Sequence, residues 1–177
     1  TDPMNRISSI DDNKSEIIIK YLSNAGTENY RSVYNYIRKE VLGKKLFTGN
    51  ISAPKEISSD ILFHLDDEVY FESTQEYKDF YHNQTSYKPN NPSLAIVLGM
   101  GNPYNTNKDH INNLIKALEQ KNINVYPISS VQKRFEFIEE INPDAVMYLP
   151  HGRFIMADGD KFVKWLKQKN IPMFCPL

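Results

Sequence analysis

Leu94-Ala-Ile-Val-Leu98, Ile123-Asn-Val-Tyr-Pro-Ile128, Asp144-Ala-Val-Met-Tyr-Leu149 and Ile171-Pro-Met-Phe174 are four short apolar runs, and what lies between them decides the fold. The first is apolar throughout, as a strand buried on both faces requires. Behind it, 107–121 carries Ile111, Leu114, Ile115 and Leu118 at spacings of three and four, which predicts an amphipathic helix. Ser129-Ser-Val-Gln132 has the capping-box pattern, and Val131, Phe135 and Ile138 mark a helix after it. A third helix is expected over 158–169, with Phe162, Val163, Trp165 and Leu166 on its buried side. Asp158 and Asp160 stand at its positive end, Lys167 and Lys169 at its negative end. Strands alternating with helices of this length predict a parallel, right-handed, three-layer sheet.

The fold class is therefore α/β: a flavodoxin-like parallel three-layer sheet over 93–177, preceded by a smaller, mostly helical region. Such a sheet normally continues with a helix to cover its last strand, so position 177 is read as a cut inside a longer protein. Upstream, 1–13 is a polar lead-in, and 14–82 is a helical region with one short strand. A helix over 14–23 stops at Asn24-Ala-Gly26, whose residues tolerate the left-handed conformation. A second, over 27–42, shows Tyr30, Val33, Tyr34, Ile37 and Val41 as one apolar stripe. Residues 44–60 read as an irregular connection, and Ile61-Leu-Phe-His64 as a strand. Ser73-Thr-Gln-Glu76 is another capping box, opening a helix with Tyr77, Phe80 and Tyr81. The stretch 83–92, with Asn83, Gln84, Asn90, Asn91 and two prolines, reads as the linker.

Composition narrows the function. Hydrophobic residues make up 40% of the 177 positions and charged ones 24%, enough to build a core and exclude wholesale disorder. The 21 Lys and Arg against 22 Asp and Glu leave a net charge of −1, so no broad basic field exists for nucleic acid. No apolar run approaches the roughly 20 residues of a membrane span. Cys175 is the single cysteine and has no partner for a disulfide or a thiolate metal cluster. Thr1 stands where a start methionine would, which reads as a processed or cut terminus.

With the strands in the order 2-1-3-4, the ligand crevice lies beyond the carboxyl ends of strands one and three. Two loops meet there, Gly99-Met-Gly-Asn-Pro-Tyr-Asn-Thr106 and Pro150-His-Gly-Arg-Phe154. Gly99, Gly101 and Asn102 are candidate ligand contacts in the first. Tyr104 occupies the third glycine position of the dinucleotide fingerprint, however, and the loop lacks Gly-Lys-Ser/Thr, so its glycines read as turn-formers. His151 and Arg153 are the stronger pair: a neutral imidazole can take a proton or ligate metal, and an arginine fork suits a carboxylate. Capping of the strand end and pairing with a helix acid explain the same two residues. His64 precedes Asp66, Asp67 and Glu68. It is a third ligand candidate, although neighbours on a strand point to opposite faces and the stretch reads better as an exposed acidic turn. His82 and His110 read as surface residues. No arrangement identifies a catalytic nucleophile.

Taken in order, the pieces resemble the N-terminal region of the large subunit of ATP-dependent tetrapyrrole metal chelatases, the family of the CobN-type cobaltochelatase subunit and the magnesium chelatase H subunit. The resemblance is carried by Tyr21-Leu-Ser-Asn-Ala-Gly-Thr-Glu-Asn-Tyr30, by Ile61-Leu-Phe-His-Leu-Asp66, and by Ile115-Lys-Ala-Leu-Glu119. Asn124-Val-Tyr-Pro127, Pro143-Asp-Ala-Val146 and Asn170-Ile-Pro-Met173 continue it. Ile61 and Leu65 depart from the family's Gly and Pro around the histidine, and Gly99-Met-Gly-Asn-Pro103 and Pro150-His-Gly-Arg153 from its usual loops, which suggests a divergent branch. The resemblance implies a tetrapyrrole substrate and a divalent metal (Co, Mg or Fe, inserted or removed) for the whole protein, with no cofactor held in this chain. It implies separate AAA+ ATPase partners, and it favours a cytoplasmic site, or a periplasmic one for a haem-related branch. A structural or partner-docking module of that subunit, and a stand-alone flavodoxin-like sensor, are the alternative readings.

Overall fold

The computed structural model gathers the alternating segment into one six-stranded sheet of order β2-β1-β4-β3-β5-β6. The strands are β1 (Ile61–Phe63), β2 (Tyr70–Phe71), β3 (Ser93–Leu98), β4 (Asn124–Ser129), β5 (Ala145–Leu149) and β6 (Met173–Phe174). Residues 10–24, 26–44, 46, 49–66, 69–99, 108–149 and 159–176 are described. The four apolar runs form β3, β4, β5 and β6, all parallel to one another and in the expected order 2-1-3-4. Helices α4 (Asp109–Gln120), α5 (Arg134–Ile141) and α6 (Gly159–Lys169) connect them. Ile111, Ile115, Phe137, Ile138, Phe162 and Leu166 carry these helices into the core.

The sheet extends beyond the parallel part. β1 pairs antiparallel with β4, placing Ile61 opposite Ser129 and Leu62 opposite Ile128, and β2 pairs antiparallel with β1. The helix α3 (Thr74–Tyr81) belongs to the same body: the chain divides into 1–57 and 58–177. The boundary therefore falls before the first strand, not at the expected linker 83–92. Backbone groups of this stretch are bound by a side chain from β4. Asn124 accepts from the Lys88 N–H at 3.1 Å and donates to the Lys88 and Asn91 carbonyls at 2.7 and 3.2 Å. That ties the stretch to the amino end of β4.

Pro127 explains why β1 is short. A proline supplies no N–H to a ladder, and residues i and i+2 of a strand present their backbone groups to the same side. The β1 ladder stops before Pro127, and Val125, on that same side, is completed by side chains of α3. Tyr81 Oη accepts from the Val125 N–H at 3.1 Å, and Tyr77 Oη donates to the Val125 carbonyl at 2.8 Å. Two phenols thus stand where a strand would. Burial pushes both hydroxyls up in pKa, Tyr77 and Tyr81 alike, and takes neighbouring Tyr126 to about 12.

Helix ends follow local chemistry. Ser73 caps α3, its hydroxyl accepting from the Glu76 N–H at 3.2 Å, as the capping box predicts. The box expected at Ser129 caps no helix: Ser130 Oγ accepts from the Lys133 N–H in the turn before α5, Val131 stays outside the helix, and α5 starts at Arg134 with no side-chain cap. α4, α5 and α6 are each followed by an asparagine of positive φ, Asn122 (60°), Asn142 (49°) and Asn170 (55°).

In the unit 1–57, α1 (Asp12–Asn24) precedes α2 (Thr27–Tyr36), which runs into a π-helical turn, Ile37–Val41. The apolar stripe expected on α2 is not its buried face. Tyr30 and Tyr34 are exposed, and of that stripe only Val33 is buried. Apart from Val33, the side of α2 that faces the following chain is polar. Asn29 exchanges two hydrogen bonds with the Lys55 backbone at 2.8 and 2.9 Å, Ser32 Oγ accepts from the Ser52 N–H, and Asn35 donates to the Asn50 carbonyl. Residues 50–55 are therefore strapped along the helix, not irregular in their bonding.

Candidate functional site

The carboxyl edge of β3 and β5 is held together where the loops leave it. Gly99 donates its N–H to the Leu149 carbonyl at 2.9 Å, carrying the β3–β5 pairing one step past the strand. Arg134, 3% exposed, reaches the same place from the first turn of α5. It donates to the carbonyls of Ser130, Leu98 and Gly99, the last two at 3.2 and 3.3 Å, and its guanidinium lies 5.8 Å from the centre of the Tyr148 ring. One buried cation thus ties the ends of β3 and β4 together. Asp60, just before β1, completes the edge. Its Oδ1 accepts from the Ser130 hydroxyl and from the N–H groups of Val131, Gln132 and Lys133. Burial opposes its charge, but those donors outweigh burial and hold the carboxyl below its ordinary value. Beside it, the fully buried Ser129 Oγ has no hydrogen-bond partner among the described residues.

Of the residues chosen from sequence, Gly99 sits at this edge. His151, Arg153, Gly101 and Asn102 lie outside the described residues. His64 is somewhere else, and the expected exposed turn is wrong for it: the residue is 6% exposed. Its Nε2 donates to Glu119 Oε1 at 3.0 Å. The same oxygen accepts from Tyr81 Oη at 2.9 Å and Ser86 Oγ at 2.8 Å. Burial of Glu119 works against its charge, yet the hydrogen bonds from His64, Ser86 and Tyr81 hold its carboxyl below the usual carboxylate range. Around the imidazole stand Tyr81, Phe80 and Tyr77, with ring centres at 5.3, 5.9 and 6.4 Å. The buried Lys108 anchors the turn from the other side, donating to the His64 and Asp66 carbonyls at 3.3 and 3.1 Å. This polar cluster is enclosed and satisfied, so its chemistry is to fix the turn after β1.

The structure does not join His64 to the carboxyl edge. Sequence reasoning missed Arg134, Lys108 and Glu119, each of which looks like a solvated helix charge. Only the Glu119 position carries a signal, lying within a run that is otherwise an amphipathic helix end. Among the described residues no group of three or more His, Cys, Asp or Glu side chains is placed to hold a metal, and no helix is long and apolar enough to cross a membrane.

Comparisons with known proteins fit this geometry. The solved catalytic subunit of cobaltochelatase from Mycobacterium tuberculosis shares the fold, with a TM-score of 0.62 at 16% identity. The likeness covers 96% of this chain and 14% of that one, so the chain spans a small part of the solved subunit's length. No curated protein matches it in sequence. The model of the CobN/Magnesium Chelatase family matches residues 19–177, all but the first 18 positions, and the chain belongs to that family.

Proposed function

We propose that this chain is a portion of the large subunit of a tetrapyrrole metal chelatase, and that its carboxyl sheet edge helps to hold the macrocycle. The observation that carries the reading is the family match across 19–177. The place follows from the fold: in open parallel sheets ligands bind beyond the carboxyl ends of strands where the strand order reverses, here between β3 and β5. Metal exchange at a tetrapyrrole needs proton transfer at the pyrrole nitrogens and a distorted ring. His151 is the proposed proton-accepting or ring-facing group, and Arg153 the fork for a propionate. Gly99, Gly101 and Asn102 would let the loop backbone approach the ring. The metal, cobalt, magnesium or iron, enters or leaves as substrate. ATP hydrolysis falls to separate AAA+ partners.

A second reading has its own support. Arg134 and Asp60, the charged side chains described at this edge, both bind backbone groups of the protein itself. That favours an edge that braces the subunit or docks its partner without touching the ligand. Titrating protoporphyrin into the chain, and into the whole large subunit, while following the Soret band separates the two. The binding reading expects a saturable shift that His151→Ala with Arg153→Ala weakens at least tenfold. An unmoved band in both proteins, with capture of the ATPase subunits by the chain, would replace it with the docking reading.

A further inference from the structure

We propose that the β6 end of the sheet is an internal docking surface of the large subunit, covered by a further strand of that same subunit. The inference rests on the family membership and not on tetrapyrrole binding. Burial falls steadily across the sheet: all six residues of β4 are buried, five of six in β3, two of five in β5 and neither in β6. Parallel sheets are stable where both faces are covered, so a sheet that thins in this way lacks a layer at its thin end. β6 has a strand on one side only among the described residues, which leaves its outer row of N–H and C=O groups as a template for another strand.

Side chains at the same end agree. Phe174 is 53% exposed and Val163 48%. Beside them lies a groove of about 530 Å³ between the end of α6 and the start of β6, lined by Val163, Leu166, Ile171 and Pro172 with Lys167 and Asn170 at its rim. An apolar groove next to an open strand edge suits an inserted segment better than water. α6 also presents Lys161, Lys164, Lys167 and Lys169 to solvent. The occupant is therefore a strand with apolar residues facing Phe174 and the groove, and carboxylates at its margin to meet the lysines. The same polypeptide is the source because the solved relative devotes only 14% of its length to the part this chain matches, leaving ample chain to supply a strand.

Hydrogen exchange of the 171–176 peptide, in this chain and in the full-length subunit, tests the proposal. The expected result is exchange at least about tenfold slower in the full-length protein, as pairing of an open edge requires. Phe174→Asp, combined with Val163→Asp, then lowers the melting temperature of the full-length subunit and leaves that of this chain unchanged. Equal exchange in the two proteins overturns the proposal. So does a concentration-dependent dimer of this chain that Phe174→Asp dissociates, because the occupant is then a second copy. A porphyrin titration that fails leaves this outcome unaffected, so the two readings fail separately.

Discussion

Two parts of the sheet, the join of β1 with β4 and the outermost strand β6, are finished in opposite ways. Beside β1, where Pro127 ends the ladder, phenols complete Val125, and one of them, Tyr81, donates its O–H in a hydrogen bond to Glu119. Glu119 in turn gathers His64 and Ser86, and aromatic rings close over the group. At the β6 end a two-residue strand carries an exposed phenylalanine and borders an open apolar groove. One is closed by polar groups matched to each other, so that removing one leaves others unpaired; the other, beyond its backbone pairing to β5, leaves apolar side chains facing solvent and tolerates change there. The difference lies in partners: buried polar groups must each be matched, whereas exposed apolar ones need not be.

The largest test of that contrast is Glu119→Ala. It leaves three donors in an enclosed site without their common acceptor, and the expected loss is about 3–5 kcal/mol, read from urea denaturation. Glu119→Gln, which keeps an acceptor, should cost much less. A loss under about 1 kcal/mol in the alanine variant would mean that water reaches the cluster and that this part is not closed. Acid sharpens the result. Because the native carboxyl titrates below its ordinary value near 4.5, its contribution is complete above that pH and fades as the pH falls through the lowered native value. The stability gap between the wild type and Glu119→Gln should therefore narrow below about pH 4.5. Next in size is Tyr81→Phe, which deprives the Val125 N–H of its acceptor and Glu119 of one donor. We expect about 1–3 kcal/mol, with the exchange of the Val125 amide speeding up before that of β3.

Much of this architecture was legible. The four apolar runs, their order, the capping box at Ser73 and the series of segments resembling the chelatase family all appear in the molecule or in its family match. They depend on local pattern, which periodicity and capping report directly. What escaped depends on partners far along the chain. His64, followed by two aspartates and a glutamate, looks like an exposed turn, and only Glu119, 55 positions later, makes it a buried one. The aromatic stripe of α2 has good helical spacing, but so do Asn29, Ser32 and Asn35, and hydropathy does not register that an extended backbone needs those polar side chains. The stretch 83–92 failed as a linker for the same reason, since Asn124 supplies its bonds. Topology alone points to the carboxyl edge as the candidate site, and Arg134, which braces that edge, was missed because a basic residue at a helix start carries no mark of burial.

The smallest expected effect asks whether the two parts differ in backbone or only in surroundings. α4 leads into the closed part and α6 into the open one, yet both terminate alike. In α4 the Ile123 N–H reaches the Leu118 carbonyl at 3.1 Å across Asn122; in α6 the Ile171 N–H reaches that of Leu166 at 3.0 Å across Asn170. Both asparagines hold the left-handed conformation, which alanine adopts at a cost of about 1 kcal/mol and glycine at none. Asn122→Ala and Asn170→Ala should therefore destabilise the chain equally, by about 1 kcal/mol each, while the glycine variants match the wild type or exceed it by a few tenths. Equal losses would show that burial alone separates the two parts. A clearly larger loss at Asn122 would mean that the closed part transmits strain into its helix, and that the contrast begins in the backbone.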